Sequence, residues 1–109
     1  MAITINIHYT GEGDSARQFA REMLASGIVD AIRAEEGNLR YEYYLPLDDD
    51  RTVLLIDSWA DQSALDAHHL SGIMPKIIAL REKYDLHMKV ERFLSEDAMP
   101  EGDRQFIRE

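Results

Sequence analysis

The sequence predicts an α+β domain of order β-α-β-β-α-β, with its four strands in one antiparallel sheet. Two stretches near the ends, Ala2 to Tyr9 and Leu86 to Leu94, alternate apolar and polar residues with the period of two that a strand imposes. In the middle, the run from Glu35 to His69 reads as a helix end, a strand, an acidic turn, a second strand and the start of another helix. Between these strands lie apolar residues at three- and four-residue steps, the signature of amphipathic helices.

The first strand places Ile3, Ile5, Ile7 and Tyr9 on one face and Thr4, Asn6 and His8 on the other. Gly11-Glu12-Gly13 breaks it, and Asp14 or Ser15 can cap the helix that follows; Ser15 and Gln18 have capping-box spacing. Ala16, Phe19, Ala20, Met23, Leu24, Gly27, Ile28, Ala31 and Ile32 then form one apolar stripe. Gly27 within it marks either a close approach to the sheet or a break between two shorter helices. Gly37 suits the left-handed residue that closes a helix.

Leu39 to Leu45 is the second strand, with Leu39, Tyr41, Tyr43 and Leu45 on one face and Arg40, Glu42 and Tyr44 on the other. Pro46 through Asp50 makes the hairpin turn. Val53 to Trp59 is apolar on both parities, as a strand covered on both faces should be. Asp61 caps a short helix over Gln62 to Leu70, which Ser71-Gly72 ends, and Pro75 opens another carrying Ile77, Leu80 and Tyr84. The last strand sets Leu86, Met88, Val90 and Leu94 against His87, Lys89 and Glu91.

This order is the split βαβ, or ferredoxin-like, layout, with the first and third strands central and the helices on one sheet face. Residues 1–95 make one domain; residues 96–109 are a polar tail in which Phe106 and Ile107 stand among charges, either disordered or packed on a partner subunit. A chain of 109 residues has no second helical layer for the other sheet face. A homodimer with its sheets meeting face to face, a dimeric α/β barrel, is therefore expected.

Composition narrows the function classes. A net charge of −9 without clustered Lys or Arg argues against nucleic acid and against an anionic membrane surface. The absence of cysteine excludes disulfides and thiolate metal sites and fits a reducing compartment. No apolar run approaches the ~20 residues of a membrane span, and the first residues lack the basic and apolar regions of a signal peptide. A soluble cytoplasmic protein is the expectation. Asp48-Asp49-Asp50 lacks the ligand spacing of a calcium site, and no phosphate loop or nucleophile elbow is present.

Three segments in order, EEGNLRYEYY, the strand ending IDSWAD, and ALDAHHLSG, resemble the antibiotic biosynthesis monooxygenase-like domains, dimeric α+β barrels. The resemblance spans about residues 3 to 94. It implies one of several activities: cofactor-free oxygenation of anthrones or quinols, haem degradation, isomerisation of phosphorylated diketones, or none. His68 falls where the quinol oxygenases and the isomerase carry a histidine. The haem-degrading members resemble this chain at Asn6. They place tryptophan at the position of His68 and an iron-binding histidine where this chain has Ile77, Ile78 and Ala79. The isomerase has a second histidine where this chain has Ile73 and Met74, and no basic cluster is present for a phosphate. The resemblance thus points to a cofactor-independent monooxygenase of a hydroquinone-, anthrone- or polyketide-like aromatic, with no cofactor or metal. A non-catalytic dimer that binds an apolar small molecule is the alternative.

Oxygenation without a cofactor needs a base, donors to the developing oxyanion and a dry pocket, because the deprotonated substrate itself reduces dioxygen. A histidine suits the base, and His68 lies three residues after Leu65, on the packed side of its helix. Asn6, polar in an apolar strand, is the expected oxyanion donor, or else a structural bond to a loop. Trp59, Tyr41, Tyr43 and His8 are candidate substrate contacts, against core packing for Trp59, strand propensity for the tyrosines and a structural role for His8. His69 reads as a rim residue. Met23, Met74 and Met88 read as core filler or the lining of an apolar site.

Overall fold

The alternation of Ile3, Ile5, Ile7 and Tyr9 holds in the computed structural model, which describes all of residues 1–109. Strand β1 spans Ile3–Thr10 and is followed by helices α1 (Ser15–Ala25) and α2 (Ile28–Arg33). Strands β2 (Asn38–Tyr44) and β3 (Thr52–Trp59) come next. Helices α3 (Gln62–His69) and α4 (Met74–Lys83), strand β4 (His87–Leu94) and a terminal helical turn α5 (Glu101–Arg104) complete the chain. The sheet order is β2-β3-β1-β4, every pairing antiparallel. The two strands read as central, β1 and β3, are central.

Where one helix or two were open possibilities after β1, the structure has two. Gly27 adopts φ 84° between α1 and α2, and a Cβ there would meet nothing within 4 Å, so Gly27 breaks the helix and does not serve a close approach. Gly37 is also left-handed, φ 81°, and packs directly on Ala64 of α3. Asp61 caps α3 as expected, its Oδ1 accepting from the Ala64 amide at 2.9 Å. The capping box at Ser15 does not form. The side chain of Asp14 instead accepts from Gln18 Nε2 at 2.6 Å, and Ser15 Oγ is buried without a partner. At the hairpin, Asp49 accepts from the Arg51 amide and the Thr52 hydroxyl, which makes the acidic run a turn.

All four helices α1 to α4 lie on the sheet face presented by the odd-numbered residues of β1 and β3. Their apolar stripes and the sheet bury Phe19, Met23, Val29, Ile32, Leu65 and Ile77 against Ile3, Ile7, Tyr9, Val53, Leu55 and Trp59. Tyr9 and Phe19 pack at its heart with ring centres 4.8 Å apart and planes tilted by 51°.

One expectation about faces needs correction. Leu39 and Leu45 do not join Tyr41 and Tyr43 in the core: a bulge between Asn38 and Arg40 shifts the register of β2, and Leu39 is 60% exposed. Strand β4, at the sheet edge, leaves Val90, Phe93 and Leu94 about half exposed. The tail neither extends the sheet nor covers it; it ends in the helical turn α5 with Phe106 exposed. The radius of gyration is 15.5 Å, above the ~13 Å of a compact chain of this length. No helix is long and apolar enough to cross a membrane.

Candidate active site

Between α3, α4 and the helix-facing side of the sheet lies a cavity of about 290 Å³. Its inner wall is apolar, from Ile5 and Ile7 of β1, Leu65 of α3 and Ile77 of α4. Met74 and Met88, possible lining residues by sequence, do line it, and Met23 is core. The exposed residues Gln62, His69 and Arg92 mark its mouth.

His68 sits in this wall, 3% exposed. Its phase on α3 follows from Leu65, one turn earlier, which is buried in the core. The ring is fixed on two sides. Trp59 stacks on it at 4.7 Å between ring centres with planes 27° apart. Its Nδ1 lies 3.0 and 3.2 Å from the two carboxylate oxygens of Glu35, in the turn after α2. A carboxylate only accepts, so Nδ1 carries the proton and donates it to Glu35. In the neutral ring, Nε2 is then the nitrogen left to accept from a ligand in the cavity. This is the arrangement by which a carboxylate sets the tautomer and direction of a histidine base.

A second acid belongs to the same wall. Asp57 of β3 is buried, accepts a hydrogen bond from the Trp59 indole Nε1, and lines the cavity. Burial pushes its carboxyl up to about 6, although the Trp59 N–H, the Arg81 charge and the charge of His68 when its ring is protonated pull the other way. Tyr41, cross-strand from Asp57, also lines the cavity. Burial raises its phenol well above the usual range, so it stays protonated and able to donate.

The sequence-predicted residues thus divide between the faces. His68 and Tyr41 meet at the cavity, with His69 at its rim. Trp59 is fully buried and acts from behind His68. Tyr43 packs edge-on against Tyr41 in the core, its hydroxyl buried without a partner. Asn6 and His8 are not at this site. The even positions of β1 point away from the helices: Asn6 pairs in register with Ile56 and Glu91, and His8 Nε2 is 2.8 Å from Glu91 Oε1. Asn6 therefore cannot donate to an oxyanion beside His68, because the sheet lies between them. Glu35, Asp57 and Arg81 were missed. For Asp57 a signal was present, a lone carboxylate inside the apolar strand TVLLIDSW. Nothing local marks Glu35, whose partner is thirty-three residues away.

Comparison with known proteins agrees with this fold. Residues 2–80 match the family described as antibiotic biosynthesis monooxygenase. A protein of Bacillus subtilis, YcnE, whose name assigns it provisionally as a monooxygenase, is 30% identical over 56 residues. That match covers 48% of this chain and spans only 59% of the relative's length. A Deinococcus radiodurans structure, provisionally described as an antibiotic biosynthesis monooxygenase, superposes with a TM-score of 0.76. It is 18% identical, with 92% of this chain and 97% of that one covered. SnoaB of Streptomyces nogalater, described as a cofactor-independent oxygenase, gives 0.74 at 15% identity, covering 92% and 98%. The structural likenesses show the shared fold; the family match covers most of the chain, from β1 through most of α4, including Glu35, Asp57 and His68. This protein belongs to the antibiotic biosynthesis monooxygenase family.

Proposed function

We propose that this protein is a cofactor-independent monooxygenase of an electron-rich hydroxylated aromatic, a hydroquinone or an anthrone in its enol form. The observation that carries the reading is His68, buried at an apolar cavity with Nδ1 held by Glu35 and Nε2 left to the ligand. Nε2 takes the phenolic or enolic proton. The resulting anion gives one electron to dioxygen, and the radical pair combines to a carbon-bound peroxide that accepts a proton from the His68 imidazolium. Loss of water, as the C–H proton leaves and the O–O bond breaks, yields the carbonyl. For an anthrone the balance is a CH₂ and O₂ converted to C=O and H₂O. Glu35 and Asp57 stabilise the imidazolium while the substrate is an anion, and the Tyr41 hydroxyl serves as the donor to the developing oxyanion. The apolar wall keeps water from the peroxide.

The working form we propose is a homodimer joined through the open sheet face. Leu54, Ile56 and Phe93 stand on that face beside the Thr4–Ser58 and His8–Glu91 bonds, and Asn6 Oδ1 is buried there with no partner. A second copy would cover this apolar surface and supply a donor. Oxygen uptake with a panel of hydroquinones and anthrones, without flavin or metal, tests the function. Turnover above the uncatalysed rate supports the enzyme; saturable binding without turnover supports a small-molecule-binding protein instead.

A further inference from the structure

We propose that the cavity takes an aromatic bearing a carboxylate, held by Arg92 at the mouth, with Arg81 the second cation of the lining. This rests on the reading of the cavity as an aromatic-binding site. Acidic residues outnumber Lys and Arg by 21 to 12, so a cation in this chain has many possible partners. Yet neither arginine at the cavity forms an ion pair; the ion pairs of the chain join His8 to Glu91, Arg40 to Glu42, His68 to Glu35 and Lys83 to Glu22.

Both guanidiniums are instead fixed by neutral acceptors. Arg81 donates from Nε and Nη2 to the Tyr9 hydroxyl, at 3.2 and 2.9 Å, and lies over the Tyr9 ring. Arg92, on β4, donates from Nη2 to Gln62 Oε1 of α3 at 2.8 Å and so bridges the mouth. These bonds orient the two cations without neutralising them. Nη1 of each remains uncommitted. The carboxylate of the lining, Asp57, accepts from the Trp59 indole and pairs with neither arginine, although the Arg81 charge is felt there. A guanidinium outside any ion pair and beside an apolar wall is what a planar anion is recognised by, since the fork matches a carboxylate. The apolar ring then lies inward, toward Ile5, Ile7 and His68, with its charged group at the mouth. Both arginines lie beyond the segment 2–80 matched to the family.

The test uses Trp59, the one tryptophan of the chain, whose contact with His68 makes its fluorescence a reporter of cavity occupancy. Full-length protein is titrated with 2-naphthoate and with 2-naphthamide, which share a shape and differ in charge. Naphthoate should bind ~10–100-fold more tightly, as charge-assisted hydrogen bonds would give, and the preference should shrink with added salt. Arg92→Gln, at an exposed position, should erase most of the preference by weakening naphthoate binding, with a far smaller change for naphthamide. Arg81→Gln should do the same, with circular dichroism reporting the fold because Arg81 braces Tyr9. Equal affinity for the two ligands, or a preference that survives both substitutions, would overturn the carboxylate assignment alone. Binding of neither ligand would overturn it together with the aromatic-cavity reading.

Discussion

Glu35 and His68 meet at 3.0 Å although thirty-three residues separate them, and the contact joins the turn after α2 to the end of α3. Asn38 to Trp59 form the hairpin between them, and the same hairpin places Trp59 beneath the imidazole. The base is therefore held by one side chain from each flank of the strand pair. Its direction is a property of the fold and not of α3 alone.

From this contact comes the first prediction. Glu35→Gln keeps the shape but offers Nδ1 an amide that can turn either its oxygen or its nitrogen to the ring. Turnover should fall at least ~10-fold, the scale seen when an orienting partner is lost. KM should hold, since Glu35 does not line the cavity. Glu35→Asp should restore part of the rate. A variant with wild-type kcat would mean that Glu35 does not position the base.

Asp57 gives a prediction in stability against pH. In the unfolded chain its carboxyl releases its proton near ~3.9, whereas the folded protein holds it to about 6. Between these values the native state binds more protons, so this group's contribution falls as pH rises through the window. Above it, the cost of keeping Asp57 ionised is on the order of 3 kcal/mol. Asp57→Asn retains an acceptor for the Trp59 indole and removes that cost. Denaturant melts should show the variant more stable than wild type at pH 8 and equal to it near pH 3.5. A gap that does not change with pH would contradict the assignment.

Association through the open face makes a third prediction. Sedimentation should find a dimer at micromolar concentration, and deletion of residues 96–109 should weaken it if Phe106 and Ile107 pack on the partner. Asn6→Ala should alter the dimer constant and leave kcat of the remaining dimer near wild type. A folded monomer, or a truncated chain that dimerises as tightly as the full one, would dispose of the respective half of this proposal.

Much of the fold was legible because it depends on local period and punctuation. Alternation found β1, two-sided apolarity found β3, and Asp61 caps α3 as its position indicates, whereas Gly37, though left-handed, lies in the turn before β2, three residues past the α2 cap Ala34. Edge strands were less so: β2 carries a bulge that no single residue type announces, and it turned Leu39 outward. At the site, His68 could be placed because one turn of helix ties it to Leu65. Asn6 was misplaced although its parity was visible, since the isoleucines of β1 had to face the helices and the polar positions the other way. Glu35 and the two arginines of the cavity owe their places to tertiary packing, which periodicity does not encode.

The central claim is that His68 is the base of a cofactor-free oxygenation, and the measurement is turnover of an active anthrone or hydroquinone under ¹⁸O₂ by wild type and His68→Ala. Wild type should place one labelled oxygen in the product and the other in water. His68→Ala should lose ~10²–10⁴ of the rate while remaining folded by circular dichroism at the assay temperature, and His69→Ala, at the rim, should change little. Full activity in His68→Ala on a substrate that wild type demonstrably oxygenates would contradict the account.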